Sequence, residues 1–175
     1  MIYTPNILKI PDHVDVISWK AARRIIENHH YLGYAPKCMI INLGVYVETE
    51  LIGVMMFGHP IARLEDQKNT LELTRMFLFD SPKNSESRAL SLAEKWIKLN
   101  YPIISRLIAY SDTDQGHNGT IYKAANWKLV GSVRPHTWSS RPKRRGVIGG
   151  KKLKFERILR KDAWVSKLMD TIYNS

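Results

Sequence analysis

The sequence predicts an α/β fold in which helices flank a mixed, mostly antiparallel sheet. Between residues 38 and 79, apolar strand-like runs follow one another across short polar connections, as in β-hairpins. Between residues 85 and 133, helical patterns alternate with strand patterns, which is typical of crossover connections. A hydrophobic content of 44% over 175 residues is sufficient for one domain, residues 1–175, with a substantial core.

The N-terminal half is predicted to contain one helix among four strands. Ser18 is placed to cap a helix that runs to about Asn28, and Gly33 marks where the chain leaves it. Glu48-Thr-Glu50 connects two strands as a hairpin. The four strands are predicted at residues 7–10, 38–47, 51–58 and 70–79.

The C-terminal half is predicted to alternate helices and strands. Asn84 or Ser85 caps a helix that runs to about Asn100, where Pro102 stops it. The predicted apolar face of that helix consists of Ala89, Leu92, Ala93, Trp96 and Leu99. Strands at 107–110, 128–133 and 152–159, a short helix at 120–127 and a terminal helix at about 162–173 complete the predicted order.

Most of the net charge of +11 lies in one segment. Residues 134 to 161 contain eleven lysines or arginines and one acid, Glu156. Proline and glycine predict an irregular basic loop at about 134–152, between the last two strands. Such a local field favours a polyanion such as a nucleic acid, although a purely solubilising loop has the same composition. The predicted nucleic-acid contacts are Arg134, Trp138, Arg141, Lys143, Arg144, Arg145, Lys151 and Lys152.

The sequence excludes several other classes of protein. No run approaches the roughly 18 apolar residues of a membrane span, and no signal peptide is evident. Cys38 is the single cysteine, which excludes an internal disulfide and a multi-cysteine zinc site, and it is expected to be a small buried hydrophobe. We therefore expect a cytoplasmic protein without a membrane partner.

Asp112 and Tyr122 are the first candidates for chemistry. Asp112 follows a buried strand beside the start of a helix, where α/β folds place functional groups. It is suited to accept a proton, although an aspartate before threonine also caps turns. Tyr122 is suited to protonate a leaving group, and an ordinary core tyrosine is the alternative.

Three further residues are candidates on local grounds. Arg75 shares the apolar face of its predicted strand with Leu71 and Leu73, a costly position unless an anion pairs with it. Asp112, a ligand phosphate or DNA fits that role, whereas strand alternation places Glu72 on the opposite face. His30 and Tyr31 follow the first helix, where they either point into a cleft or only complement the helix end.

The chain resembles the GNAT acyltransferase fold, and within it the Mom family. The segment from Gly119 through Tyr122 and Trp127 to Gly131 is similar to the GNAT pattern of a helical tyrosine, an aromatic residue and a strand glycine. His30-Tyr31, Glu72-Leu-Thr-Arg75-Met, the Ser85/Ser87 helix entry and Asp112 followed by Tyr122 resemble Mom proteins in that order. That family is phage-encoded, modifies adenine N6 in DNA with a methylcarbamoyl-type group and so blocks restriction enzymes.

The Mom resemblance implies a set of site residues and a metal. It implies a site lined by His30, Tyr31, Arg75, Ser87, Asp112 and Tyr122, with Ser85 as the alternative to Ser87. It also implies iron, for which His30, Tyr31, Asp112 and Tyr122 have matching ligand types.

The GNAT resemblance implies acyl-CoA, such as acetyl-CoA, at a glycine-rich helix entry. This chain has no glycine there, and Lys83, Asn84, Ser85 and Ser87 are left to hold a phosphate. Two alternatives stay open: a GNAT N-acetyltransferase acting on a small amine, protein or RNA, and a non-enzymatic DNA-binding module. A homodimer also stays open.

Overall fold

A seven-stranded mixed sheet forms the centre of the molecule. The computed structural model describes residues 10–133 and 151–160. The strands are β1 His13–Val16, β2 Met39–Val47, β3 Glu50–Gly58, β4 Thr70–Leu78, β5 Arg106–Asp112, β6 Lys128–Val133 and β7 Lys152–Ile158. Their order across the sheet is β1-β2-β3-β4-β5-β7-β6, with β4 and β5 parallel and the other neighbours antiparallel. The predicted mixed sheet is confirmed.

Helices cover both faces of this sheet. They are α1 Trp19–His29, α2 Ser85–Asn100 and α3 Thr120–Ala124, with a short 3₁₀ helix at Thr113–Gln115. On the first face, α1 buries Ala22 and Ile26 against Val54 and Met56 of β3. On the second face, α2 and α3 close the larger core, which includes Phe57, Leu71, Ala89, Ile97, Leu107, Tyr122 and Phe155. The predicted cap of α1 is confirmed, because the Ser18 hydroxyl accepts a hydrogen bond from Ala21 N.

A β-bulge in β4 changes which side chains share a face. Met56 of β3 pairs with Arg75, whereas its neighbour Phe57 pairs with Leu73, so Thr74 is an extra residue. Leu71 and Leu73 pack in the second-face core, but Arg75 follows the bulge and shares the first face with Glu72. The prediction that Glu72 lies on the face opposite Arg75 is therefore wrong.

β4 and β5 separate toward their carboxyl ends. Their pairing runs from Thr70 opposite Arg106 to Leu73 opposite Ala109 and stops there. Beyond that point β4 pairs only with β3, and β5 pairs only with β7. The two strands therefore open a cleft in the sheet, bordered by the residues that end each strand.

Three local predictions need correction. The first described strand is β1 at His13–Val16, whereas the predicted strand at 7–10 lies outside the described residues except for Ile10, which is not in a strand. Leu99 is 83% exposed, because the buried face of α2 runs through Ala89, Leu90, Ala93 and Ile97. Cys38 is exposed, since it precedes the paired part of β2.

Several expectations fall on residues that the structure does not describe. The basic loop at 134–150 and the terminal helix at 162–173 lie outside the described residues. Among the helices in the described part of the chain, none has the length and apolar character needed to cross a membrane.

Candidate active site

Predicted site residues from four parts of the chain lie at the cleft between β4 and β5. The segment after α1 contributes His30 and Tyr31, β4 contributes Arg75, the end of β5 contributes Asp112, and α3 contributes Tyr122. Their mutual electrostatic effects, described below, show that these residues lie close together. The structure thus brings distant segments of the chain to one place.

His30 is held in a defined tautomer at the end of α1. Its Nδ1 accepts a hydrogen bond from Leu32 N at 3.2 Å, and Gly33 turns the chain with a φ of 61° while donating to the His30 carbonyl oxygen at 2.8 Å. Burial, followed by the Arg75 guanidinium and His117, lowers the pKa of His30 to about 4. His30 is therefore neutral at neutral pH, with its hydrogen on Nε2.

Folding stability is expected to fall in acid because of His30. Its pKa is about 4 in the folded chain against an ordinary value of 6.5, so the unfolded chain binds the proton first as pH drops. The contribution of neutral His30 to the free energy of unfolding is fully present above pH 6.5 and is lost as pH falls toward about 4. In His30→Asn, whose amide oxygen can still accept from Leu32 N, urea midpoints across that range should depend less on pH. Equal pH dependence in both proteins would contradict this assignment.

Arg75 is buried without an ion-pair partner among the described residues. Its Nε donates to the Tyr34 carbonyl oxygen at 3.2 Å, and its Nη1 donates to the Thr74 carbonyl oxygen at 2.6 Å. The guanidinium lies 4.6 Å from the centroid of the Tyr34 ring. Backbone carbonyls and an aromatic face thus replace the predicted anion. Nη2 makes no hydrogen bond to the described residues, so the cation is free to bind an anionic or carbonyl group in the cleft.

Asp112 combines a turn-capping role with a free oxygen. Its Oδ1 accepts from Asp114 N at 3.1 Å and so caps the 3₁₀ helix, as the alternative interpretation of this residue expected. No other described residue hydrogen-bonds its carboxylate. Burial is the main cause of the raised pKa of Tyr31, and the Asp112 carboxylate is the next largest cause. Asp112 therefore lies near the residues that follow α1. Its second oxygen is left to act on a bound group.

Tyr122 is positioned by a glycine at the start of α3. Gly119 has a φ of 72°, and a Cβ there would lie 2.1 Å from Phe155 Cζ, so only glycine lets α3 approach β7 this closely. The Tyr122 ring stacks on Phe155 at 5.0 Å between centroids. Burial is the main cause that raises the pKa of the Tyr122 hydroxyl well above its ordinary value, and Tyr31 and Glu72 add to the increase. The hydroxyl therefore stays protonated.

The Tyr122 side chain is buried, yet its hydroxyl makes no hydrogen bond to the described residues. It is not among the fully buried side-chain atoms without a partner there, which are Asn42 Oδ1 and Ser85 Oγ. A protonated phenol in that position can donate to a leaving group.

Two residues outside the predicted set border this candidate site. His117, which follows the 3₁₀ helix, lies 5.6 Å from Tyr31 between ring centroids. Glu72 is 5% exposed, and burial raises its pKa against the opposing effects of Ile61 N–H, Lys152 and Arg75. Burying a glutamate within an apolar strand costs free energy, as burying Arg75 does. Its position in such a strand is the sequence feature that could have identified Glu72 as a candidate.

The predicted cofactor-binding residues surround the start of α2. Ser87 Oγ donates to the Asn84 carbonyl oxygen at 3.0 Å, and no contact joins Ser87 to the cleft residues within the described ranges. Asn84 has a left-handed φ of 73° and makes no side-chain cap. Ser85 is 1% exposed, and its Oγ has no hydrogen-bond partner among residues 10–133 and 151–160. Lys83 is exposed. The helix start thus has the backbone conformation that favours glycine, although glycine itself is absent.

The predicted iron ligands gain no support. In the chain as described, no group of three or more His, Cys, Asp or Glu side chains could hold a metal ion. Because His30 Nδ1 accepts a hydrogen bond, the neutral ring has its hydrogen on Nε2, and a metal could bind Nε2 only by displacing that hydrogen. Of the four predicted ligands, Tyr31, Asp112 and Tyr122 remain near one another.

Two of the predicted nucleic-acid contacts are described. Lys151 is exposed, and Lys152 lies opposite Asp112 on the neighbouring strand. Lys152 also lies opposite Val133, after which the basic loop begins. The other predicted contacts lie outside the described residues: Arg134, Trp138, Arg141, Lys143, Arg144 and Arg145.

The fold is of the class seen in solved GNAT acetyltransferases. The chain is similar to AAC(6')-Ib solved with acetyl-CoA, with a TM-score of 0.60, 8% identity and coverage of 83% of this chain and 92% of that one. It is also similar to the ribosomal-protein-S5-alanine acetyltransferase of Vibrio fischeri, with a TM-score of 0.58, 14% identity and coverage of 85% and 93%. A GNAT-family structure from Desulfovibrio desulfuricans gives a TM-score of 0.55 at 12% identity over 85% and 98%.

Within that class, the chain belongs to the Mom protein family. The model of this family matches residues 12–155. The methylcarbamoylase mom of Escherichia phage Mu is 37% identical over 128 residues, which cover 68% of this chain and 53% of that protein. The chain thus spans about half the length of this relative. The predicted resemblance is confirmed at the level of both the fold and the family.

Proposed function

We propose that this protein transfers a methylcarbamoyl-type acyl group to adenine N6 in double-stranded DNA. Membership of the Mom family supports DNA modification, and the GNAT fold supports acyl transfer. The observation that carries the proposal is that a carboxylate, Asp112, and a protonated phenol, Tyr122, both lie near enough to Tyr31 to interact with it electrostatically. Together they supply the proton acceptor and the proton donor that transfer to a weakly nucleophilic amine requires.

The proposed reaction moves two protons and exchanges one bond. The N6 lone pair attacks the acyl carbon, and the bond from that carbon to its leaving group breaks. The free Asp112 oxygen accepts the N6 proton, and the Tyr122 hydroxyl gives its proton to the leaving group. Arg75, with Nη2 unengaged by the described residues, stabilises the negative charge that develops on the acyl oxygen.

An acyl-CoA is the donor that the GNAT fold favours. Lys83, the unpartnered Ser85 Oγ and the uncapped start of α2 suit a phosphate group. The Glu86 carboxylate in the first turn of α2 repels a phosphate group, so this helix start suits a pyrophosphate only in part. When bound, the CoA thioester would supply the activated acyl group, and Ser85 and Lys83 would hold its phosphates.

Mass spectrometry of nucleosides from DNA tests the proposed function. DNA from cells expressing this chain should contain an adenosine heavier by the transferred group, and plasmid from those cells should resist restriction enzymes that cut at adenine-containing sites. Unmodified DNA, together with acetyl transfer from acetyl-CoA to a small amine or peptide, would favour the N-acetyltransferase alternative. DNA binding without either product would favour the binding module.

The basic segment is expected to set the salt dependence of DNA binding. Neutralising Arg144, Arg145, Lys151 and Lys152 should reduce the slope of log affinity against log salt by about 0.9 for each phosphate that the variant no longer neutralises. Filter binding over a salt series measures this slope. The double variant Lys151/Lys152→Gln should also reduce the slope. The matched control, Lys95/Lys98→Gln on α2, should leave the slope unchanged. An unchanged slope in the quadruple variant would mean that the segment only solubilises the protein.

A further inference from the structure

The loop between β3 and β4 exposes two large apolar side chains at one turn. Ile61 is 76% exposed and Leu64 is 102% exposed, and the exposed Arg63 lies between them. We call residues 61–64 the loop tip. Single exposed apolar side chains are ordinary on protein surfaces, but two beside a cation at one turn suit a partner that is both apolar and anionic.

The backbone beneath the loop tip is firmly anchored. Glu65 N donates to the Ala62 carbonyl oxygen at 3.1 Å, and the Gln67 side-chain amide donates to the same oxygen at 3.2 Å. The Glu65 carboxylate accepts from Arg106 Nη2 at 2.7 Å and also pairs with Lys154. Both cations come from the sheet, so the loop is fastened over its first face. The loop tip is therefore presented by a fixed turn.

The loop tip also borders the candidate active site. Ile61 N donates to the Glu72 carboxylate at 2.9 Å, and Glu72 shares the first face with Arg75. The pKa of Tyr122 is raised mainly by burial, then by Tyr31, and the charge of Glu72 adds to these effects. One of the residues that hold the loop tip, Glu72, thus lies on the same face of β4 as Arg75.

Positive charge lies on the same side of the sheet as the cleft. Lys152 lies opposite both Asp112 and Val133. Positions 134 to 150, which follow Val133 in the sequence, contain five lysines or arginines and no acid. An apolar tip, the Lys152 cation opposite Asp112 and this basic composition match the stacked bases and the phosphates of one duplex.

We propose that Ile61 and Leu64 form a wedge that enters the DNA base stack and fills the gap left by the target adenine. This inference rests on the proposed function. Adenine N6 is inaccessible to a catalytic cleft while the base is stacked and paired, so the nucleotide must turn out of the duplex. Apolar side chains inserted between base steps stabilise such a distortion, and Arg63 lies where it can contact the adjacent phosphate.

Comparing paired and unpaired substrates tests the wedge. The probes are one adenine-containing oligonucleotide as a duplex, and the same strand with its adenine opposite an abasic site. We expect I61S/L64S to slow modification of the duplex by about tenfold or more, because the wedge offsets part of the cost of base extrusion. The abasic-site substrate, whose adenine is already unpaired, should be modified at a nearly unchanged rate. The matched control is Leu99→Ser, an equally exposed apolar position on α2.

Each outcome of this comparison decides the proposal. Equal slowing on both substrates, or no slowing on either, would overturn the wedge. A changed oligomeric state of I61S/L64S on gel filtration with normal duplex modification would assign the loop tip to a contact between copies. If wild-type protein modifies neither substrate, the proposed function fails and the wedge fails with it. Selective slowing on the duplex supports both.

Discussion

Replacing Asp112 by asparagine is expected to lower the rate of adenine modification by about 10²- to 10⁴-fold, the usual contribution of a general base. Affinity for duplex DNA should be nearly unchanged. Asparagine retains the side-chain oxygen that caps the 3₁₀ helix through Asp114 N, so the local fold is preserved. Only the negative charge and its capacity to accept a proton are removed. Nucleoside mass spectrometry measures the rate, and filter binding measures the affinity.

Asp114→Asn is the matched control for this substitution. Asp114 lies in the same 3₁₀ helix and contributes to the Asp112 cap only through its backbone N–H. Its variant should modify DNA at the wild-type rate. Equal loss of binding and modification in Asp112→Asn would refute a chemical role and would assign the carboxylate to holding the substrate or the fold.

Replacing Tyr122 by phenylalanine is expected to lower the rate by at least about 10²-fold, at the lower end of what general acids contribute. Because the hydroxyl has no partner among the described residues, its removal should leave the free energy of unfolding nearly unchanged. The ring still stacks on Phe155 and packs against Trp127. Single-turnover rates and urea unfolding separate these two effects.

Tyr101→Phe serves as the control for Tyr122→Phe. Tyr101 follows α2 and packs on Trp96 at 5.9 Å between ring centroids, apart from the cleft residues. This variant should keep full activity. Full activity in Tyr122→Phe would show that water protonates the leaving group, and a large loss of stability would show that the phenol is structural.

Local patterns in the sequence predicted the elements but not every face. The bounds of β6 and the Ser18 cap of α1 follow from local composition, and both are confirmed. The buried face of α2 was predicted in part. Ala89 and Ala93 are buried, and Leu92 and Trp96 pack against the core. Leu99 is exposed, because the buried face runs through Leu90 and Ile97 instead. Periodicity defines which residues share a face; only packing decides how far that face is buried.

The candidate site was predicted in part. Asp112, Tyr122, Arg75, His30 and Tyr31 lie near one another, because the end of α1, β4, the end of β5 and α3 all border the opening between β4 and β5. Ser87 is not brought to the cleft by the described contacts, and its hydroxyl bonds to its own helix start. Glu72 and His117 were missed because their role depends on neighbours far away in the sequence.

The sequence by itself determined the order of the elements from α1 to β7, the position of Asp112 at the polar end of a buried strand, and the concentration of positive charge after β6. These features depend on residues close together along the chain, where hydrogen-bonding and apolar patterns act locally. Only the tertiary structure decided that Thr74 forms a bulge and turns Arg75 onto the face of Glu72. Which residue bulges depends on the register that β3 imposes on β4, and cross-strand pairing is not encoded in either strand alone.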